Sequence, residues 1–167
     1  MINTLNTTIV ASLGEICVSK EPGAILACLG LGSCIGLCAY DPVAKVAGLA
    51  HIVLPESNRG STGKIPGKYA DTAVPMLFAE MGKYSAVKQR LVVKLVGGAR
   101  MIQAAGFDPI FEMGARNLEM TVKALAAEGV RVAAAETGGN LGRSLWLEVS
   151  TGKLLTKTTG SILKELL

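Results

Sequence analysis

Between Glu21 and Asp41 the chain carries no charge, and this run overlaps "ACLGLGSCIGLCAYDP", residues 27–42, with three of the four cysteines. An apolar stretch of this length nearly spans a bilayer. Pro22, Gly23, Gly30, Gly32, Ser33 and Gly36 deny it a helix, and a lone open strand cannot cross lipid with its backbone groups unpaired. The run must instead be folded into a protein core as short strands.

The remaining composition agrees with such a core. The chain has 167 residues, half of them apolar, which suits a single domain over residues 1–167. The net charge of +4 is mild and its lysines and arginines are scattered, without the basic patch that tracks nucleic acid. Three phenylalanines and one tryptophan make no stacking platform for bases. The opening "MINTLNTTIV" lacks the positive and apolar regions of a secretory signal. A cytoplasmic location with reduced cysteines is expected, without membrane insertion or a disulfide framework.

Short Val-, Ile- and Leu-rich runs predict strands at 14–19, 25–30, 34–41, 46–55, 90–98, 130–137, 143–150 and 153–159. Asp41-Pro42 and Ser150-Thr151-Gly152-Lys153 are turn signals, the second closing a hairpin. One helix is predicted over Tyr69–Met81, with Ala73, Met76, Leu77 and Met81 on its buried face and a kink at Pro75. A second covers Leu118–Glu128, with Leu118, Val122 and Leu125 as its stripe, Asn117 as N-cap and Gly129 as stop. A weaker helical stretch covers Ala99–Ala104, and residues 55–68 form a polar loop. The order of elements is not a regular βαβ alternation. It predicts an α+β fold, a layered α/β sandwich with a mixed, largely antiparallel sheet and two main helices.

Two chemistries for residues 27–42 fail on spacing. A dinucleotide fingerprint needs its third glycine at position 35, which is Ile35, followed by a helix where a strand is predicted. In a zinc site from Cys28, Cys34, Cys38 and His51, Cys34 and Cys38 lie four apart on a predicted strand, too far for tight chelation. Neither a nucleotide cofactor nor a metal is expected. Cys17 and Cys38 read as small core hydrophobes. Cys34 differs, because it follows Gly-Leu-Gly-Ser, a segment able to turn tightly and present its amides to an oxyanion. Strands 34–41 and 46–54, joined by the turn at 42–45, set Cys34 opposite roughly Val53. His51, the sole histidine, then lies on the same face within diagonal reach. A thiol needs such a base to attack at neutral pH.

"LGLGSCIGLCAYDPVAKVAGLAHIVLP", followed by "PGKYADTAV" (66–74), "VGGARM" (96–101), "GARN" (114–117) and "ETGGN" (136–140), resembles the CheD family of chemoreceptor glutamine deamidases over nearly the whole chain. The resemblance implies conversion of receptor glutamines to glutamate with release of ammonia. It implies Cys34 as nucleophile and His51 as general base and acid, and in such a mechanism the backbone at Gly32 and Ser33 is expected to support the oxyanion. It also implies a fold similar to a glutamine-deamidating bacterial toxin. The implied partners are the cytoplasmic domains of chemotaxis receptors and a CheC-type phosphatase that competes with them. Family members carry a threonine six residues before the cysteine as third catalytic member. Here that position is Cys28, a weaker hydrogen-bond partner, and the contact that orients His51 comes either from Cys28 or from a backbone carbonyl. Two other functions stay open: a related thiol hydrolase, such as a methylesterase or transglutaminase, and a catalytically weak binding module that regulates the phosphatase.

Overall fold

The structure, a computed structural model, describes residues 6–57, 65–101 and 112–167. Its elements run β1 (Thr7–Val10), β2 (Ile16–Ser19), β3 (Ala24–Leu31), β4 (Ile35–Asp41), β5 (Val46–Ile52), α1 (Ala70–Gly82), β6 (Val92–Gly97), α2 (Met113–Ala127), β7 (Val132–Thr137), β8 (Arg143–Glu148), β9 (Leu154–Thr158) and β10 (Lys164–Glu165). The α+β class and the layering agree with the sequence expectation. The strands divide into two five-stranded sheets: an outer sheet, β1-β3-β8-β9-β10, and a central sheet, β2-β5-β4-β6-β7. Among the described strands only β1–β3 and β6–β7 pair in parallel, so both sheets are mixed and largely antiparallel.

Three layers follow from side-chain alternation in the central sheet. Every residue of β4 and β5 is buried. Ile35, Leu37, Ala50 and Ile52 pack towards Leu77 and Met81 of α1 and Leu125 of α2. Cys38, Ala47 and Leu49 face the outer sheet, meeting Leu26, Leu145 and Leu147. A strand covered on both faces needs no polar alternation, and this accounts for much of the uncharged run. At Gly48 the fit requires glycine, since a Cβ there would lie 2.5 Å from Met81 Sδ.

A bulge in β3 explains another glycine of the run. Cys28 pairs Leu145 and Leu31 pairs Arg143, so β3 holds one residue more than β8 across that step. Gly30 takes it up with φ of 65°. The extra residue lets Cys28 and Leu31, an odd number of positions apart, both point into the core.

The Asp41-Pro42 turn is also an anchor. The buried Asp41 carboxylate accepts hydrogen bonds from the amides of Val43, Ala44 and Val87 and from Arg90, with Nη2 at 2.7 Å. Burial alone would raise its pKa. The guanidinium and the three amides outweigh that and hold the carboxyl well below the usual range. The stabilisation is therefore complete above the unfolded carboxylate pKa, about 3.9, and is lost as pH falls through the lower folded value. Asp41→Ala is expected to destabilise by about 3 kcal/mol at neutral pH, since it leaves Arg90 and three amides unpaired. Urea unfolding measures this, and the wild-type advantage should shrink in acid.

Both helices differ in detail from expectation. α1 runs unbroken through Pro75, and Val74 is buried where Met76 is partly exposed. α2 begins five residues before Leu118, which puts Asn117 inside the helix and not at its cap. Its buried stripe is Gly114, Asn117, Thr121 and Leu125, while Val122 is exposed. The helix is rotated by about one residue, near 100°, because the buried line includes two polar side chains that an apolar count passes over. Gly129 ends α2 with φ of 71° as anticipated. Of the weaker helical stretch, Ala99–Met101 is coil and the remainder lies outside the described residues. The middle of the 55–68 loop also lies outside them.

Candidate active site

The β4–β5 hairpin has the register expected from its turn. Asp41 pairs Val46, Gly36 pairs His51 and Ile35 pairs Ile52, so one step further Cys34 lies across from Val53. Side chains two apart on a strand share a face, and paired residues point the same way. Cys34 and His51 therefore both face the outer sheet, as diagonal neighbours with a Cα separation of roughly 7–8 Å. Gly36 stands between them in the same column. A Cβ on it would lie 2.4 Å from Leu145 Cδ2, so glycine here lets the two sheets close beside the pair.

His51 is held on three sides by residues 11–15, a segment with no role assigned from the sequence. Its backbone N–H donates to Glu15 O at 3.0 Å, and its carbonyl accepts from Gly14 N at 2.9 Å. Its Nδ1 lies 2.9 Å from Ala11 O, in a buried position. A carbonyl only accepts, so in the neutral ring Nδ1 carries the proton and Nε2 the lone pair. The orienting contact is thus a backbone carbonyl. No hydrogen bond joins Cys28 to His51 among the described residues. Cys28 lies fully buried between the sheets, and burial pushes its thiol far up. Cys38, also in that core, is pushed up by burial to about 12.

Cys34 is half-buried. Burial raises its thiol pKa, while its own backbone N–H lowers it in part. The resting group at neutral pH is then the thiol. Alkylation of the wild-type protein by iodoacetamide is expected to keep accelerating above pH 9.0, the ordinary thiol value. A rate that levels off near neutrality would show a preformed thiolate instead. The rate is read by mass spectrometry of the Cys34 peptide.

The loop before Cys34 is fixed by its carbonyls. Gly32 O accepts from Ala99 N at 2.8 Å and Cys34 O from Gly98 N at 2.8 Å. Ser33 O accepts from Asn117 Nδ2 at 2.9 Å. Among the described residues no acceptor is paired with the amides of Ser33 and Cys34 other than the Cys34 sulfur. The "VGGARM" and "ETGGN" segments support this loop from behind. Gly97, Gly98, Gly138 and Gly139 all have positive φ, as their turns require. Gly138 N donates to Gly97 O at 3.0 Å, and Arg143 Nη1 donates to Gly138 O at 2.7 Å. A Cβ at Gly97 would strike Cys34 O at 2.2 Å.

Of the residues expected at the site, Cys34, His51, Gly32 and Ser33 are brought to one end of the central sheet, and Cys28 is not joined to His51. Ala11 and Asn117 were not assigned there from sequence. Ala11 acts through a backbone atom, which leaves no residue-type signal. Asn117 carried a signal, in "GARN", that a capping role had seemed to explain. Among the described residues no group of three or more His, Cys, Asp or Glu side chains converges to hold a metal ion. No helix among them is long and apolar enough to cross a membrane.

Residues 53–158 match the family described as CheD chemotactic sensory transduction. The chain is 47% identical over 151 residues to the chemoreceptor glutamine deamidase CheD of Thermotoga maritima, covering 90% of this chain and 92% of the relative. It is 44% identical over 149 residues to a probable chemoreceptor glutamine deamidase CheD of Symbiobacterium thermophilum, covering 89% and 90%. A probable counterpart in Desulforamulus reducens is 37% identical over 95% of both chains. The crystal structure of the Bacillus licheniformis hypothetical protein YfiH overlays 75% of this chain and 50% of its own with a TM-score of 0.42 and 16% identity, a likeness too loose to support a functional conclusion.

Proposed function

The chain belongs to the CheD family, and from that premise we propose that it hydrolyses the side-chain amide of glutamines in chemotaxis receptors through Cys34 and His51. The observation that carries this reading is the bond from His51 Nδ1 to Ala11 O. It leaves Nε2 as a free base on the face that also holds Cys34.

In the proposed reaction His51 Nε2 takes the thiol proton as Cys34 Sγ attacks the glutamine Cδ. The carbonyl oxygen becomes an oxyanion, held by the amides of Ser33 and Cys34. The intermediate collapses, the C–N bond breaks, and the imidazolium gives its proton to the departing ammonia. A thioester remains. Nε2 then deprotonates a water that attacks the same carbon, releasing glutamate and restoring the thiol. The balance is glutamine plus water to glutamate plus ammonia. The Ala11 carbonyl takes the place assigned to the family threonine, stabilising the imidazolium by accepting from Nδ1 throughout.

A protein substrate suits the surroundings. Leu13, on the segment that holds His51, and Met101, packed against Gly32, are both exposed, and apolar side chains beside a site favour a macromolecular surface. The proposed substrates are the cytoplasmic domains of the receptors, and a CheC-type phosphatase is the proposed competitor for the same face. The test is mass spectrometry of a receptor cytoplasmic fragment incubated with the protein. Conversion of discrete glutamines to glutamate supports the reading. Unchanged glutamines in a receptor from the same organism overturn it and favour the binding-module alternative.

A further inference from the structure

A deamidase of this kind depends on where two amides point, and the structure shows what aims one of them. A trans peptide group is planar, with its C=O and N–H directed to opposite sides. Fixing the carbonyl of residue i therefore fixes the N–H of residue i+1. Gly32 O is fixed by Ala99 N, which turns the Ser33 N–H the other way. Ser33 O is fixed by Asn117 Nδ2 at 2.9 Å, which turns the Cys34 N–H away from α2.

Asn117 has a second grip. Its Nδ2 also donates to Val53 O at 2.9 Å, and Val53 stands across from Cys34 in the hairpin register. One fully buried amide thus ties the loop before the nucleophile to the strand that bears His51. Its Oδ1 has no partner among the described residues. That fixes the orientation of the group, because a flipped amide would press Oδ1 against two carbonyl oxygens. The close approach is prepared by Gly114. A Cβ there would lie 2.6 Å from Gly98 O and 2.7 Å from Ala99 O, so this glycine lets the first turn of α2 reach the loop. Thr121 Oγ1 donates to Asn117 O at 2.7 Å and braces the helix one turn on.

We propose that Asn117 is a positioning residue for catalysis: by holding the Ser33 carbonyl it keeps the Ser33–Cys34 peptide in the orientation that offers the Cys34 N–H to the oxyanion. This inference rests on Cys34 being the nucleophile. Without Asn117 the Ser33 carbonyl has no buried donor, and the peptide is free to turn and withdraw its N–H. The position of the thiol is not expected to change, since Asn117 bonds neither Sγ nor His51, and only the small help the Cys34 N–H gives the thiolate is lost with it.

The test uses Asn117→Asp, which keeps the shape but sets a carboxylate against two carbonyls, and Asn117→Ser, which offers one small donor. Turnover on a receptor cytoplasmic fragment is expected to fall roughly 10²–10³-fold, as when one oxyanion donor is removed, with the fall in kcat and KM held. A receptor-segment peptide with an aldehyde in place of the side-chain amide forms a tetrahedral thiohemiacetal with Cys34. Its affinity is expected to fall with kcat, while alkylation of Cys34 by chloroacetamide slows far less, only by the thiolate fraction lost with the N–H. A variant that folds, judged by its melting transition, yet keeps wild-type kcat and aldehyde affinity overturns the inference. So does chloroacetamide alkylation that falls in step with kcat, which would show that the thiol was displaced. Should Asn117→Asp fail to fold, Asn117→Ser carries the same comparison. A wild-type protein indifferent to the aldehyde, together with an active Cys34→Ala variant, overturns the nucleophile and this inference with it. Wild-type inhibition with unaffected Asn117 variants overturns this inference alone.

Discussion

Cys34→Ala is expected to leave receptor glutamines unconverted under conditions in which the wild-type protein converts them fully. Loss of the nucleophile from a hydrolase that works through a covalent intermediate costs about 10⁶-fold in kcat, and deamidation then falls below detection. The fold should survive, because Cys34 lies at the half-buried mouth of the site and alanine fits wherever its Cβ already sits. Cys38→Ala is the control. That thiol is buried in the core between the sheets, so its loss should lower the melting temperature and leave turnover per folded molecule intact. Mass spectrometry of the receptor fragment reads both. An active Cys34→Ala variant would remove the basis of the mechanism.

His51→Gln is expected to lose roughly 10²–10⁴-fold in kcat, the usual contribution of a positioned general acid–base group. Glutamine is preferred to alanine for the experiment. Its amide N–H can still donate to Ala11 O, so the buried carbonyl is not left unpaired, which would cost about 1–3 kcal/mol. The variant keeps a donor where Nδ1 stood and loses the base at Nε2. Its signature lies in pH. Cys34 alkylation should be slowed near neutrality, where the thiol needs a base, and should approach the wild-type rate in alkali, where hydroxide takes the proton. Equal rates at every pH would show that His51 does not serve the thiol.

The hairpin that carries both residues could be read directly from the chain. Asp41-Pro42 marks the turn, strand side chains alternate with period two, and Cys34 falls on the face of His51 by counting alone. The long uncharged run likewise announced strands covered on both faces. β1, by contrast, is four exposed residues at a sheet edge, and its composition says nothing of its parallel pairing with β3. The face of α2 was misjudged for a related reason. Asn117 and Thr121 are buried because Nδ2 of the first and Oγ1 of the second find partners in distant carbonyls and in the helix backbone, which a count of apolar side chains passes over.

By itself the sequence determined which side chains can do chemistry, a single histidine and a cysteine in a glycine-rich turn, and it brought them together, because a two-strand hairpin is a local structure governed by register. Only the tertiary structure decided what orients them. The Ala11 carbonyl arrives from the connection between two different sheets, and the Asn117 amide arrives from a helix 84 residues beyond Ser33. Both act through hydrogen bonds to the backbone, and backbone groups are the same at every residue. Which of them meet is set by the packing of layers, a property of the whole fold that no local pattern records.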